Sequence, residues 1–172
     1  MELFKPTIYK KNIHDIPYKK LKEEGIHCLV FDLDNTLGLV SNMSCPEETK
    51  KLIKELKKDF LVVISSNNNQ KRIQVYLDEL GIDGFAWSLK PSTKGLSRIR
   101  KKYKLKKEEM CMIGDQIVTD ILSGKLFHIK TILVDPLGEK DLKITGLNRK
   151  IENLIVRKYE KKGIFKRGNY YE

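Results

Sequence analysis

Leu29-Val30-Phe31-Asp32-Leu33-Asp34-Asn35-Thr36-Leu37 is the stretch whose reading decides the fold, an apolar run that ends abruptly in two carboxylates at i and i+2. Such a run, bounded by polar turn residues, reads as a buried strand. The strand is expected to end and bend just after Asp32, with Asn35 and Thr36 supplying the turn, so that both carboxylates serve one site. The flanking chain then has to supply their partners.

Outward from this strand the chain repeats one pattern. Pro17 to Glu24 reads as a short helix leading into it, with Gly25 at the position after its end. Downstream, Gly38 to Cys45 is a loop, and Pro46 to Lys58 is an amphipathic helix with Leu52, Ile53 and Leu56 on one side. Phe60 to Ile64 is a second continuous apolar strand, ending in Ser65-Ser66-Asn67-Asn68-Asn69. A helix from Asn69 to Leu80 follows, closed by Gly81. Gly84 to Trp87 is a third strand, and Ser88-Leu89-Lys90-Pro91 leads into a helix from Ser92 to Tyr103. Met110 to Ile113 is a fourth strand ending in Gly114-Asp115, Gln116 to Phe127 is helical, and Lys130 to Val134 is a fifth strand. Thr145 is placed as the cap of a last helix reaching Lys161, with Leu147, Ile151, Leu154, Ile155 and Tyr159 as its apolar stripe.

Continuous apolar strands alternating with helices imply a parallel sheet covered on both faces. The expected fold is therefore a doubly wound, Rossmann-like α/β domain with a mainly parallel five-stranded sheet. Residues 1–172 are expected to form one domain, with 1–26 as an N-terminal extension carrying a short helix and about 162–172 as a basic tail. In open α/β sheets, ligands bind beyond the carboxyl ends of the strands. Asp32, Asp34, Ser66, Lys90, Asp115 and Asp120 all stand at such ends. Carboxylates gathered there need a cation, and hard oxygen ligands without a nearby Cys/His set favour Mg²⁺. A hydroxyl and an ammonium beside a metal site suit the oxygens of a phosphoryl group.

Composition narrows the classes further. The 172 residues are 40% hydrophobic and 33% charged, which is a globular balance. Thirty-four Lys+Arg against 23 Asp+Glu give a formal charge of +11, so the surface attracts anions: nucleic acid, an acidic membrane or phosphorylated ligands. A lysine-rich, merely solvated surface has the same composition. Cys28, Cys45 and Cys111 show no CxxC spacing and read as reduced thiols in a cytoplasmic protein. No secretory signal and no window of about 18 apolar residues is present, which leaves only peripheral membrane contact.

Asp32-Leu33-Asp34-Asn35-Thr36 resembles the DxDxT motif of the haloacid dehalogenase (HAD) superfamily of phosphatases. The resemblance continues in order through Ser66 after an apolar strand, Lys90 before a helix, and Gly114-Asp115-Gln116-Ile117-Val118-Thr119-Asp120 as a GDxxxxD element. It implies Asp32 as the nucleophile, Asp34 as the proton donor and acceptor, and Ser66, Asn67 and Lys90 as holders of the phosphoryl group. It implies Mg²⁺ bound by Asp32, the main-chain carbonyl of Asp34 and Asp115, with Asp120 supporting the metal or Lys90. The intervals from Asp34 to Ser66 and from Ser66 to Lys90 are too short for a cap domain, so the site is expected to be open to a large substrate.

The finer resemblance is to the YqeG-like branch, which includes phosphatidylglycerophosphate phosphatases. It implies a phosphomonoesterase that converts phosphatidylglycerophosphate to phosphatidylglycerol at the cytoplasmic membrane face. The basic run from Arg98 to Lys107 and the basic last helix and tail suit an anionic lipid, with Phe165, Tyr170 and Tyr171 as candidates for interfacial insertion. Two alternatives stay open: a capless phosphatase acting on a protein or nucleic-acid phosphate, and a non-catalytic RNA- or ribosome-binding protein on the same scaffold.

Overall fold

The computed structural model describes residues 3–138 and 143–172, with side chains in the last helix from Lys150 onward. Six parallel strands form one sheet: β1 (Ile8–Lys10), β2 (Cys28–Phe31), β3 (Leu61–Ser65), β4 (Asp83–Phe85), β5 (Met110–Gly114) and β6 (Lys130–Val134). Their order is β1-β6-β5-β2-β3-β4. The expected count of five falls one short. Ile8-Tyr9-Lys10 joins the sheet as an edge strand, with Ile8 in register with Ile132. A three-residue strand carries almost no periodic signal, and its partner lies far along the chain.

Strand periodicity sorts the core onto the two faces of the sheet. Leu29, Phe31, Ile64, Ile113 and Ile132 pack on the side of α1 (Tyr18–Glu23), α2 (Glu47–Leu56) and α3 (Gln70–Leu80), which contribute Leu21, Ile53, Ile73 and Tyr76. Cys28, Val30, Val63 and Met112 face the other way, onto Leu96 and Ile99 of α4 (Lys94–Tyr103) and Phe127 of α5 (Leu122–Phe127). The three cysteines are free and buried, and burial pushes the Cys28 thiol up to about 12. Helix ends follow local chemistry. The Asn69 side chain accepts from the Arg72 amide at 2.9 Å to cap α3, and Gly81, at φ 59°, takes the left-handed conformation that closes it. No described helix is long and apolar enough to cross a membrane.

The last helix, α6 (Lys143–Lys161), starts before Thr145, whose capping role and the place of Leu147 in the stripe lie outside the described side chains. Its buried face differs from the expected stripe. Glu152 and Val156 point inward, while Ile151 and Leu154 are exposed. The reason is a carboxylate: Glu152 accepts from the Ile117 amide at 3.1 Å and from Arg167, which turns the helix to bring an acidic residue inside. The C-terminal residues also fold back onto the sheet edge. Phe165 is buried with its ring centroid 5.2 Å from that of Tyr9, Tyr9 and Tyr171 exchange backbone hydrogen bonds, and the Tyr170 hydroxyl donates to Asp135 at 2.6 Å. Phe165 is therefore a core residue, which corrects its assignment to a membrane interface.

Candidate functional site

The sheet reverses its winding between β2 and β5, and the crevice outside their carboxyl ends is the natural ligand position in such a fold. Asp32 follows β2 and Asp115 follows β5. The Asp32 amide donates to the Ile113 carbonyl at 2.8 Å, extending the ladder by one bond so that the backbone at the first carboxylate is fixed by the sheet. Beyond it the chain turns. Asn35 adopts φ 63° and its amide donates to Gly38 at 2.7 Å, closing a tight loop as the polar residues predicted.

Three buried carboxylates meet in this crevice. Asp32, Asp115 and Asp120 each offer an oxygen within 4.8 Å of the others. Thr36 donates its hydroxyl to Asp115 at 3.4 Å. Lys90 stands beside them and uses all three ammonium donors, to Asp32 Oδ1 at 2.5 Å, Asp120 Oδ1 at 2.6 Å and the Ser65 carbonyl at 2.8 Å. Burial opposes the charge on Lys90, but Asp120 and Asp32 outweigh it and hold its pKa above the ordinary lysine value. Burial, and then repulsion from Asp120 and Asp115, pushes the Asp32 carboxyl well above its ordinary value despite Lys90. A buried cluster of hard carboxylate oxygens is the donor set that suits Mg²⁺.

Asp120 reaches the crevice from a single turn of π-helix, Ile117–Ile121, where the sequence predicts a continuous α-helix from Gln116. Such turns often occur at functional sites. Here Asp120 Oδ2 folds back to accept from the Gln116 amide at 3.1 Å, and its carboxyl lies over the α-carbon of Gly114. A Cβ at Gly114 would stand 2.4 Å from that carboxyl, so only glycine leaves room.

The second aspartate of the opening stretch does not join this cluster. Asp34 Oδ1 accepts from Arg72 Nε at 3.1 Å and Nη2 at 2.8 Å, and Oδ2 accepts from Asn68 at 3.1 Å. Arg72 also donates to the Leu39 carbonyl at 3.1 Å and to the Asn42 carbonyl, and its guanidinium lies 5.2 Å from the Tyr76 ring centroid. One side chain thus ties the second aspartate to the loop after β2. Sequence reading gave Arg72 and Asn68 no role. A signal was present, however: a cation in the first turn of a helix opposes the helix dipole and needs an acidic partner.

The remaining predicted residues are close by. Ser66 is buried, and its hydroxyl accepts from the Asn68 amide at 3.1 Å. Asn67 spends its side chain on the backbone of Lys90, accepting from the amide at 2.7 Å and donating to the carbonyl at 3.0 Å. In this structure it positions Lys90.

A family model described as haloacid dehalogenase-like hydrolase matches residues 43–128. The chain is 37% identical over 166 residues to the probable phosphatase YqeG of Bacillus subtilis (strain 168), covering 94% of this chain and 95% of that protein. The chain belongs to the haloacid dehalogenase-like hydrolase family. Like its YqeG relative, this HAD chain is a phosphatase. It is also 24% identical over 170 residues to the chloroplastic/mitochondrial phosphatidylglycerophosphate phosphatase 1 of Arabidopsis thaliana, covering 92% of this chain and 49% of that one. Among solved structures, an uncharacterized protein of Listeria monocytogenes serotype 4b matches with TM-score 0.56 and 16% identity, over 77% of this chain and 99% of its own. The cobalt-bound deoxy-D-mannose-octulosonate 8-phosphate phosphatase of Haemophilus influenzae matches with TM-score 0.51 and 18% identity, over 84% of this chain and 95% of its own. At these identities the two structures speak for the HAD fold.

Proposed function

We propose that the chain is a Mg²⁺-dependent phosphomonoesterase working through a phosphoryl group carried on Asp32, with phosphatidylglycerophosphate as its substrate. The observation that supports the chemistry best is the meeting of Asp32, Asp115 and Asp120 around Lys90 at the switch point. Asp32, Asp115 and the main-chain carbonyl of Asp34 would hold the metal. When bound, it neutralises the carboxylates and the phosphoryl oxygens, so that two anions can approach.

Lys90 holds Oδ1 of Asp32, which leaves Oδ2 to attack phosphorus. The P–O bond to the leaving glycerol oxygen breaks, and Asp34 gives that oxygen a proton. In the second half, the Asp34 carboxylate takes a proton from water as the water oxygen attacks phosphorus. The P–O bond to Asp32 then breaks and inorganic phosphate is released. Arg72 and Asn68 position Asp34, Asn67 positions Lys90, and Asp120 keeps the Lys90 ammonium against Asp32. Ser66, beside Lys90 at the strand end, is the hydroxyl for a phosphoryl oxygen.

The lipid assignment rests on openness, charge and one distant relative. Only α2 and β3 lie between Asp34 and Ser66, and only α3 and β4 lie between Ser66 and Lys90, so neither interval holds a cap among the described residues. The Arabidopsis relative that matches along most of this chain is named for phosphatidylglycerophosphate. The test is phosphate release from phosphatidylglycerophosphate in mixed micelles, beside a phosphopeptide and a 3′-phosphorylated oligonucleotide. The lipid is expected to turn over fastest, and equal or slower turnover than either rival refutes the assignment. Asp32→Asn should abolish release from all three, and retained turnover in that variant refutes the chemistry.

A further inference from the structure

The loops that follow β2, β4 and β6 surround the crevice, and each presents large apolar side chains to solvent. Met43 is 85% exposed, Trp87 61%, Leu89 59% and Leu137 47%. Their backbones are pinned around the site. The Trp87 amide donates to the Asn68 carbonyl at 3.0 Å, the Leu137 amide donates to the Asn35 carbonyl at 2.9 Å, and Arg72 grips the Asn42 carbonyl next to Met43. Trp87 and Leu89 also adopt φ 50° and 55°, a left-handed conformation uncommon for bulky residues. The Ser88 amide, bonded to Ser66 at 3.0 Å, and the Lys90 amide, bonded to Asn67, hold the loop in that shape. Two apolar side chains are thereby kept pointing outward on an ordered loop, where collapse onto the surface would have hidden them.

The surrounding charge complements an anionic surface. Lys11 after β1, Lys71 in the first turn of α3 and Lys94 at the start of α4 are all exposed on this edge of the sheet. Of the described acids on these loops, Asp34 is held by Arg72, Glu47 by Lys50 and Asp135 by Tyr9 and Tyr170, while Asp15 and Glu48 are exposed. The apolar side chains stand apart on three loops, with polar residues and lysines between them. A protein partner needs a contiguous patch. A bilayer interface accepts separate insertions, with tryptophan at headgroup depth and lysines against anionic headgroups.

We propose that this rim, carrying Met43, Trp87, Leu89 and Leu137, docks the enzyme onto an anionic phospholipid bilayer and brings headgroup phosphates level with the crevice. The proposal rests on the lipid-phosphatase reading for its purpose, and it places the contact at the catalytic edge, where the sequence points to the basic run from Arg98 to Lys107 and to the last helix and tail.

Trp87 is the single tryptophan of the chain, so its fluorescence reports on the rim alone. The experiment uses the full chain carrying Asp32→Asn, which removes turnover, with vesicles of phosphatidylcholine alone or with one-third phosphatidylglycerol. Emission should shift to the blue only with the anionic vesicles and be quenched by brominated acyl chains. Met43→Glu with Leu89→Glu should weaken co-sedimentation by tenfold or more, on the order expected for lost interfacial insertion. Lys11→Gln, Lys71→Gln and Lys94→Gln should each weaken it by about fivefold. Leu154→Glu on the exposed face of α6 should leave it unchanged. Silent Trp87 emission on anionic vesicles overturns the proposal, as does loss of sedimentation with Leu154→Glu but not with the rim variants. Lipid turnover in micelles with a silent Trp87 defeats the docking surface alone. A responsive Trp87 without lipid turnover defeats the substrate assignment and leaves the surface standing.

Discussion

Replacing Arg72 tests whether Asp34 does proton work. In the wild type one guanidinium makes two hydrogen bonds to Asp34, and both side chains are shielded, at 16% and 18% exposure. A hydrogen bond to a charged group contributes about 1.5–3 kcal/mol. Partial exposure argues for the lower half of that range, so Arg72→Ala should cost about 2 kcal/mol, or roughly 4–8 °C in Tm for a domain of this size. The kinetic effect should be larger and selective. A proton donor released from its position loses on the order of 10²-fold in rate. That loss should fall on kcat for an alkyl phosphate, whose leaving oxygen needs a proton. p-Nitrophenyl phosphate should lose only a few-fold, because its phenolate leaves without one. Arg72→Lys keeps the charge but not the two-pronged geometry, and should fall between wild type and Arg72→Ala. Equal losses on both substrates, or a loss confined to KM, would refute the assignment of Arg72 as a positioning residue for a general acid.

Three further outcomes follow from the same geometry. Gly114→Ala puts a Cβ 2.4 Å from the Asp120 carboxyl, so the carboxyl must move; turnover should fall at least about tenfold, with about 1–3 kcal/mol of lost stability measurable by urea titration. Because burial and neighbouring acids hold the Asp32 carboxyl above its ordinary value of 3.8, the folded chain keeps a proton that the unfolded chain has released. Stability of the metal-free protein should therefore fall as pH rises from that value through the raised one, and Mg²⁺ should remove this slope in thermal scans at several pH values; an identical slope with and without Mg²⁺ would count against the metal site. Arg167→Ala removes a partner of the buried Glu152 carboxylate and, after allowance for the 29% exposure of Arg167, should lower stability by about 2–3 kcal/mol, read as a lower Tm without a change in the Mg²⁺ response.

The parts of this molecule legible in its sequence are those written in short-range pattern. Five of the strands announce themselves as apolar runs, and four of them lead into polar residues at the crevice, so the positions of Asp32, Ser66, Lys90, Asp115 and Asp120 at the strand ends are legible in the sequence. What stayed hidden depends on direction and distance. β1 is three residues long and makes sense only beside β6. The turn of α6 was misjudged because hydrophobicity cannot foresee Glu152 being drawn inward by the Ile117 amide and Arg167. Whether Asp34 faces the cluster or a cation is a choice of rotamer and loop path, and it needed Arg72, on another helix, to settle it.

The position of β1 in the sheet has a consequence for synthesis. Ile8 pairs with Ile132, so β1 leaves the ribosome well ahead of the strand it pairs with. Contacts so distant in sequence close slowly, because loop-closure entropy is lost before pairing is gained. Until β6 emerges, Ile8 and Tyr9 have no sheet to join, and the nascent chain must carry them as an exposed apolar segment. The edge that finally receives them is then covered by the Tyr9–Tyr171 bridge, so this sheet margin is sealed by residues made after β6 itself.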